Sequence, residues 1–125
     1  AAGQGVLAVE CRQEDEDIQS LLLQIEDRNT RYEITAERAF LDCLGGGCSV
    51  PAGVLAKFSE KTDTLQIDAC VAALDGSRVF RATKQGPAAE AASLGLSLAR
   101  EIEDLGAGAV LEQLRQSTPN VVSPP

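Results

Sequence analysis

The segment Gly45-Gly46-Gly47-Cys48-Ser49-Val50-Pro51 holds the residues whose types and spacing could do chemistry. One glycine is enough to stop a helix. Three in succession lose backbone entropy on folding and are tolerated where a chain bends tightly or lets something approach closely. A cysteine straight after them is presented on a hinge, and Pro51 stiffens the exit and drives Val50 toward an extended conformation. The chemistry would be that of a swinging, accessible thiol. The residues alone leave a second reading equally open, a long helix-to-strand connection with an incidental cysteine. A phosphate-binding loop fails, because no Lys-Ser or Lys-Thr follows the glycines and the loop leads into a strand.

The other reactive side chains add little. The cysteines are Cys11, Cys43, Cys48 and Cys70, with no C-x-x-C among them. Cys43 and Cys48 have the spacing of the first two ligands of a plant-type iron–sulfur loop, but Pro51 stands where the third would be. The scattered spacings weigh against a four-thiolate zinc site without closing it. Zero histidine removes the commonest general base and transition-metal ligand. The run Glu14-Asp15-Glu16-Asp17 could suggest a metal site, yet adjacent helix positions point in different directions. It reads better as a first helical turn facing the positive end of the dipole.

The elements that must position the loop fit one domain of 125 residues with a modest core. The formal net charge of −8 argues against nucleic acid as a partner. The longest apolar stretch, Ala69 to Leu74, is far too short to cross a bilayer, and no signal peptide is visible. Irregular cysteines without a signal fit free thiols in a reducing compartment, the cytoplasm first, with a plastid stroma as the alternative. The chain has no methionine, so Ala1 is expected to be an internal or processed position in a longer protein.

Along the chain, Gly3-Gln4-Gly5 marks a turn or hinge and Val6 to Cys11 reads as a short buried strand. Ile18, Leu21, Leu22 and Ile25 form a helical stripe. Thr30 and Glu33 match a capping box for a helix whose core face carries Ala36, Ala39, Phe40 and Cys43, ending at Gly45. Three strands follow: Val54 to Ser59, Leu65 to Ala73, and Ser77 to Lys84. Asp75-Gly76 predicts a two-residue hairpin and Glu60 to Asp63 the other turn. Pro87 opens a helix that buries Ala91, Leu94, Leu98, Ile102 and Leu105; Gly106 closes it. A short helix follows through Val110, Leu111 and Leu114, and Ser117 to Pro125 reads as a disordered tail. The expected fold is α+β, a three-stranded antiparallel sheet with helices packed on one face.

Ala36-Glu37-Arg38-Ala39-Phe40-Leu41 followed by Leu44-Gly45-Gly46-Gly47-Cys48-Ser49-Val50-Pro51 resembles the cofactor-attachment signature of the hydroxymethylbilane synthase (porphobilinogen deaminase) family. Gly3-Gln4-Gly5 with Val9-Glu10-Cys11-Arg12, Asp75-Gly76-Ser77 and Leu94-Gly95-Leu96-Ser97-Leu98-Ala99 are similar to other stretches of that family, so the resemblance runs from Gly3 to about Leu114. It implies a three-domain transferase of heme and porphyrin biosynthesis. Such an enzyme polymerises four porphobilinogen molecules into the linear tetrapyrrole hydroxymethylbilane, releasing ammonia. A dipyrromethane cofactor would be thioether-linked to Cys48, with Gln4 near the cofactor cleft.

The implied division is 1–26, a return strand and connecting helix from the N-terminal part; 27–116, the dipyrromethane-carrying domain; and 117–125, the tail. The complete enzyme would be a monomer without nucleic acid or membrane partners. Catalytic residues are expected outside this chain, which alone should be inactive, and Glu37 and Arg38 are expected as a structural pair or interdomain contact. One departure stands out. Gly45 occupies a position where the family usually has glutamate, and the extra glycine is expected to loosen the helix end. Two other classes stay open on the residues: a non-catalytic α+β regulatory or interaction module with a free thiol, and a thiol-based redox or metal module.

Overall fold

In the computed structural model, residues 1–46 and 50–117 are described. Four α-helices and three strands run α1 (Glu16–Leu22), α2 (Arg28–Cys43), β1 (Ala52–Ser59), β2 (Thr64–Ala72), β3 (Val79–Pro87), α3 (Ala91–Ile102) and α4 (Gly108–Ser117). The strands form one antiparallel sheet in the order β1-β2-β3. Its register pairs apolar positions with apolar ones. Val54 lies opposite Ala69, Ala56 opposite Ile67, Phe58 opposite Leu65, and Val71 opposite Phe80. Because side chains alternate along a strand, that register puts all of them on one face. Helices α2 and α3 cover that face, and Ala36, Phe40, Leu65, Ile67, Val71, Leu98 and Ile102 are fully enclosed between the layers. The α+β expectation holds, with the helices on one side of the sheet.

The two covering helices meet very closely at Gly95. A Cβ built there would stand 2.2 Å from the Ala36 carbonyl oxygen and 3.1 Å from Ala39 Cβ. Only glycine admits this approach. On the sheet side, Gly86 leaves room for Leu94, whose Cδ2 would lie 2.7 Å from an added Cβ.

Several boundaries differ from the sequence expectation. Helix α2 starts one turn earlier than Thr30: Asp27 is its cap, accepting from the Thr30 amide at 2.7 Å. That frees Glu33 for a bond to β1. The β2–β3 connection is longer than two residues. The Ala73 amide donates to the Arg78 carbonyl, and Leu74 to Ser77 form the loop, with Gly76 at φ +72°. Pro87 is the last residue of β3, paired with Thr64, and a single 3-10 turn at Ala88–Glu90 precedes α3. An edge strand tolerates proline because the missing amide would face outward. Leu105 is exposed rather than buried, since Gly106 at φ +117° turns the chain before α4.

The N-terminal segment departs most. Val6 to Cys11 joins no strand, and Leu7 is 97% exposed. A strand is buried only where neighbours receive its amides and side chains, and among the described residues none does so for this segment. Helix α1 forms but is shorter than read: Asp15 is its cap, accepting from the Ile18 amide, Glu16 and Asp17 stand in the first turn, and it ends at Leu22, leaving Ile25 of the expected stripe outside it and exposed. Its apolar side chains Ile18 and Leu21 stay exposed. The expected tail lies outside the described residues from 118 onward, while Ser117 ends α4.

Candidate functional site

The cysteine loop is built between two fixed points. On the upstream side α2 ends with a Schellman motif. The Gly46 amide donates to the Leu41 carbonyl at 3.0 Å and the Gly45 amide to the Asp42 carbonyl at 3.1 Å. Gly45 has φ +103° and Gly46 φ +59°. Leu44, the helix cap, is buried in the core. Gly45 therefore does not loosen the helix end: it adopts the left-handed backbone by which such helices stop, satisfying carbonyls that would otherwise be orphaned. The downstream side is held by the sheet. The Pro51 carbonyl accepts from the Ala72 amide at 3.0 Å, and β1 begins at the next residue.

Cys48 itself lies outside the described residues, two positions from Gly46 and two from Val50. Gly45 is exposed, and among the described residues a Cβ built on it would meet nothing within 4 Å.

The other three cysteines lie within the described residues. Cys43 is half-buried against the core, as its place on the α2 stripe predicts. Cys70 lies on the open face of β2, opposite Gly53, where an added Cβ would come 3.3 Å from its sulfur. Cys11 is exposed in the N-terminal segment. Among the described residues no group of three or more Cys, Asp or Glu side chains is arranged to hold a metal, and Asp15, Glu16 and Asp17 of the acidic run serve the start of α1.

Gln4 is exposed at the rim of a shallow depression of about 520 Å³. That depression runs from the edge of β1 onto the open sheet face, where Gly53, Asp68, Arg81 and Thr83 line it. Asp68 accepts from the Thr83 hydroxyl at 2.6 Å and from the Gln66 amide at 3.1 Å. These two bonds, Thr83's first, hold its carboxyl below the ordinary carboxylate range.

Two residues that the sequence reading did not single out for this role seal the free edge of β1. Glu33 accepts from the Phe58 amide at 2.9 Å and Glu37 from the Ala56 amide at 2.9 Å. Their i,i+4 spacing on α2 matches two residues of strand, so one helix face caps successive outward amides that would otherwise invite another strand. The second oxygen of Glu37 accepts from the Gly3 amide at 2.7 Å. The expected pairing of Glu37 with Arg38 does not occur: Glu37 is 7% exposed and faces backbone amides, while Arg38 is exposed. The signal was present, because Glu37 falls between Ala36 and Phe40 on the core face, where a carboxylate requires donors.

Comparison with known proteins agrees with this architecture. Residues 31–104 match the family described as porphobilinogen deaminase, C-terminal domain. The porphobilinogen deaminase of Mycobacteroides abscessus is 45% identical over 118 residues, covering 89% of this chain and 39% of the relative. That of Mycobacterium avium is 43% identical over 122 residues, 92% of this chain and 39% of the relative. That of Mycobacterium tuberculosis is 46% identical over 114 residues, 86% of this chain and 37% of the relative. The chain thus spans about two fifths of the length of these curated relatives. With the three-stranded sheet, the covering helices and the anchored glycine loop in place, the chain belongs to the porphobilinogen deaminase family and contains its C-terminal domain.

Proposed function

We propose that this chain is the cofactor-carrying part of a hydroxymethylbilane synthase, in which Cys48 holds a dipyrromethane through a thioether. The observation that carries the reading is the family match across residues 31–104, which brackets a Gly-Gly-Cys-x-Val-Pro loop pinned at both ends. The donor set fits the group. Loss of ammonia from porphobilinogen leaves an electrophilic methylene carbon, and a thiolate is a soft nucleophile suited to it. A C–S bond forms, the C–N bond to the departing amine has broken, and the thiol proton leaves with ammonia as ammonium. Unlike a disulfide, a thioether is not undone by cellular thiols, which suits a resident group in the cytoplasm. When bound, the dipyrromethane supplies the end from which the tetrapyrrole grows.

The residues of this chain then have mechanical roles. The Schellman end at Gly45 and Gly46 and the sheet bond at Pro51 fix where the loop starts and stops. Everything between them is short enough to keep the attachment point within a few residues' reach of the domain. Porphobilinogen, in this reading, is held by parts of the protein beyond this chain, which also supply the catalytic acid and the arginines for the substrate's carboxylates; the complete enzyme acts as a monomer. Residues 1–26 belong with that preceding part. The exposed Leu7, Val9, Ile18 and Leu21 support this, being apolar surface that a neighbouring layer would bury.

The reading is tested by incubation with porphobilinogen. The chain alone should release neither ammonia nor linear tetrapyrrole above a no-protein control, because an anchor without an acid and anion-binding groups does not stabilise a transition state. The protein extended to the length of its relatives should do both. Turnover by the chain alone, or silence from the extended protein, overturns the assignment.

A further inference from the structure

Glu37 is a nearly buried carboxylate that joins three separate segments. It stands on α2, which leads into the cysteine loop. One oxygen accepts from Ala56 of β1, the strand that leaves the loop, and the other accepts from Gly3 in the N-terminal turn. Among the described residues no lysine or arginine pairs with it, so backbone amides are what the structure provides for its charge. A carboxylate held by N–H donors alone binds them more strongly than a neutral acceptor would.

The turn is shaped for this bond. Gly3 has φ +68°, and a Cβ on it would lie 2.8 Å from Ile34 Cδ1 on α2. Ala2 packs against the core. From Val6 to Glu14 the chain is exposed.

We propose that Glu37 is a positioning residue: it latches the Gly3-Gln4-Gly5 turn to the domain that carries the cysteine loop, so that Gln4 and both loop anchors move as one body. The bearing on catalysis rests on the proposed function above, whereas the latch itself does not. In a porphobilinogen-polymerising enzyme, the latch sets how the carrier domain sits against the part of the protein that the N-terminal segment belongs to. Losing it would leave the loop intact but misplaced.

Two substitutions probe the latch from opposite sides. Glu37→Gln keeps the size of the side chain but sets an NH2 group against one of the two amide donors. Gly3→Ala leaves Glu37 and its bond to Ala56 untouched but strains the turn, because φ +68° is a left-handed backbone and the new Cβ would crowd Ile34 Cδ1. Amide hydrogen exchange read by NMR should show Gly3 exchanging about tenfold faster or more in Glu37→Gln, the scale of one hydrogen bond to a charged acceptor. The Gly3→Ala chain should show the residue 3 amide, which donates to Glu37, and the Val6 amide, which donates to the residue 3 carbonyl, released likewise, while the β1–β2 ladder amides keep their protection in that variant. Unchanged Gly3 protection in Glu37→Gln overturns the latch.

In the protein extended to full length, kcat should fall about tenfold in both variants at unchanged KM for porphobilinogen. The rate is taken per mole of protein whose intact mass includes the two-pyrrole increment, so that unfolded molecules drop out. If the exchange results hold and kcat does not move, the latch stands and its positioning role falls. If the parent protein lacks the increment, the proposed function fails while the exchange measurement still decides the latch.

Discussion

Replacing Gly95 with alanine should destabilise this domain although alanine is the better helix former. Gly95 lies inside α3 and is buried against α2. A methyl group there would sit 2.2 Å from the Ala36 carbonyl oxygen and 3.1 Å from the Ala36 carbonyl carbon. The obstacle is backbone, so no side chain can swing aside. Carbon and oxygen need about 1 Å more, which the helices can gain only by separating. A gap of 0.5–1 Å forfeits roughly a quarter to a half of each dispersion contact across it. Leu94, Leu98 and Ile102 on the same helix would be lifted from the sheet. Overpacking of this kind costs about 3 kcal/mol at the upper end of its range, and the helix propensity of alanine over glycine returns about 1 kcal/mol. The net loss is about 2 kcal/mol, which moves a urea midpoint by about 1 M at a slope near 2 kcal/mol/M. Equilibrium urea unfolding followed by far-UV circular dichroism measures it, with Ser93→Ala on the exposed side of α3 as the propensity control. A Gly95→Ala chain as stable as the parent, or more stable, would show that the helices do not meet there.

Gly45→Ala should lower stability by about 1 kcal/mol, because φ +103° is a left-handed backbone that a Cβ disfavours; thermal unfolding reads the change, and a neutral result would mean the helix ends another way. Asp27 accepts from the backbone amide of Thr30 and from its hydroxyl, which hold its carboxyl below the ordinary range in the folded state. The stability it contributes is therefore full above the unfolded carboxylate pKa and is lost as pH falls through the folded one. Asp27→Asn, which keeps the cap, should flatten that acid limb of the urea midpoint against pH; an unchanged limb would refute the role.

The sheet was legible because its signal is local. Leu65, Ile67, Ala69 and Val71 alternate with Gln66, Asp68 and Cys70, and a period of two leaves one choice of inner face. The Asp75-Gly76 turn was located correctly but sized too short, at two residues, because the Ala73–Arg78 bond that sets its length is a pairing between strands. Pro87 illustrates a conflict: it suits a first helical turn and an edge strand alike, and the pairing with Thr64 decides for the strand. The apolar pattern of Val6 to Cys11 and of α1 announces burial, yet what would bury it does not come from this chain's sheet.

At the site, the glycine-cysteine loop was conspicuous from composition alone, while its Schellman end depends on backbone angles that three consecutive glycines leave open. Glu33 and Glu37 were masked by ordinary helix patterning. Thr30 with Glu33 reads as a capping box until Asp27 takes the cap, and only the position of β1 reveals what the two carboxylates receive.

Attachment at Cys48, as proposed above, can be read from the protein itself. The protein extended to the length of its relatives, purified and digested, would be mapped by tandem mass spectrometry for a covalent two-pyrrole increment, alongside Cys48→Ser and the Ala variants of Cys11, Cys43 and Cys70. The increment is expected on the peptide containing Cys48, lost in Cys48→Ser and kept in the other three, where removing a cysteine-sized group costs about 1 kcal/mol of packing at most. An increment found on Cys11, Cys43 or Cys70, or retained in Cys48→Ser, would contradict it.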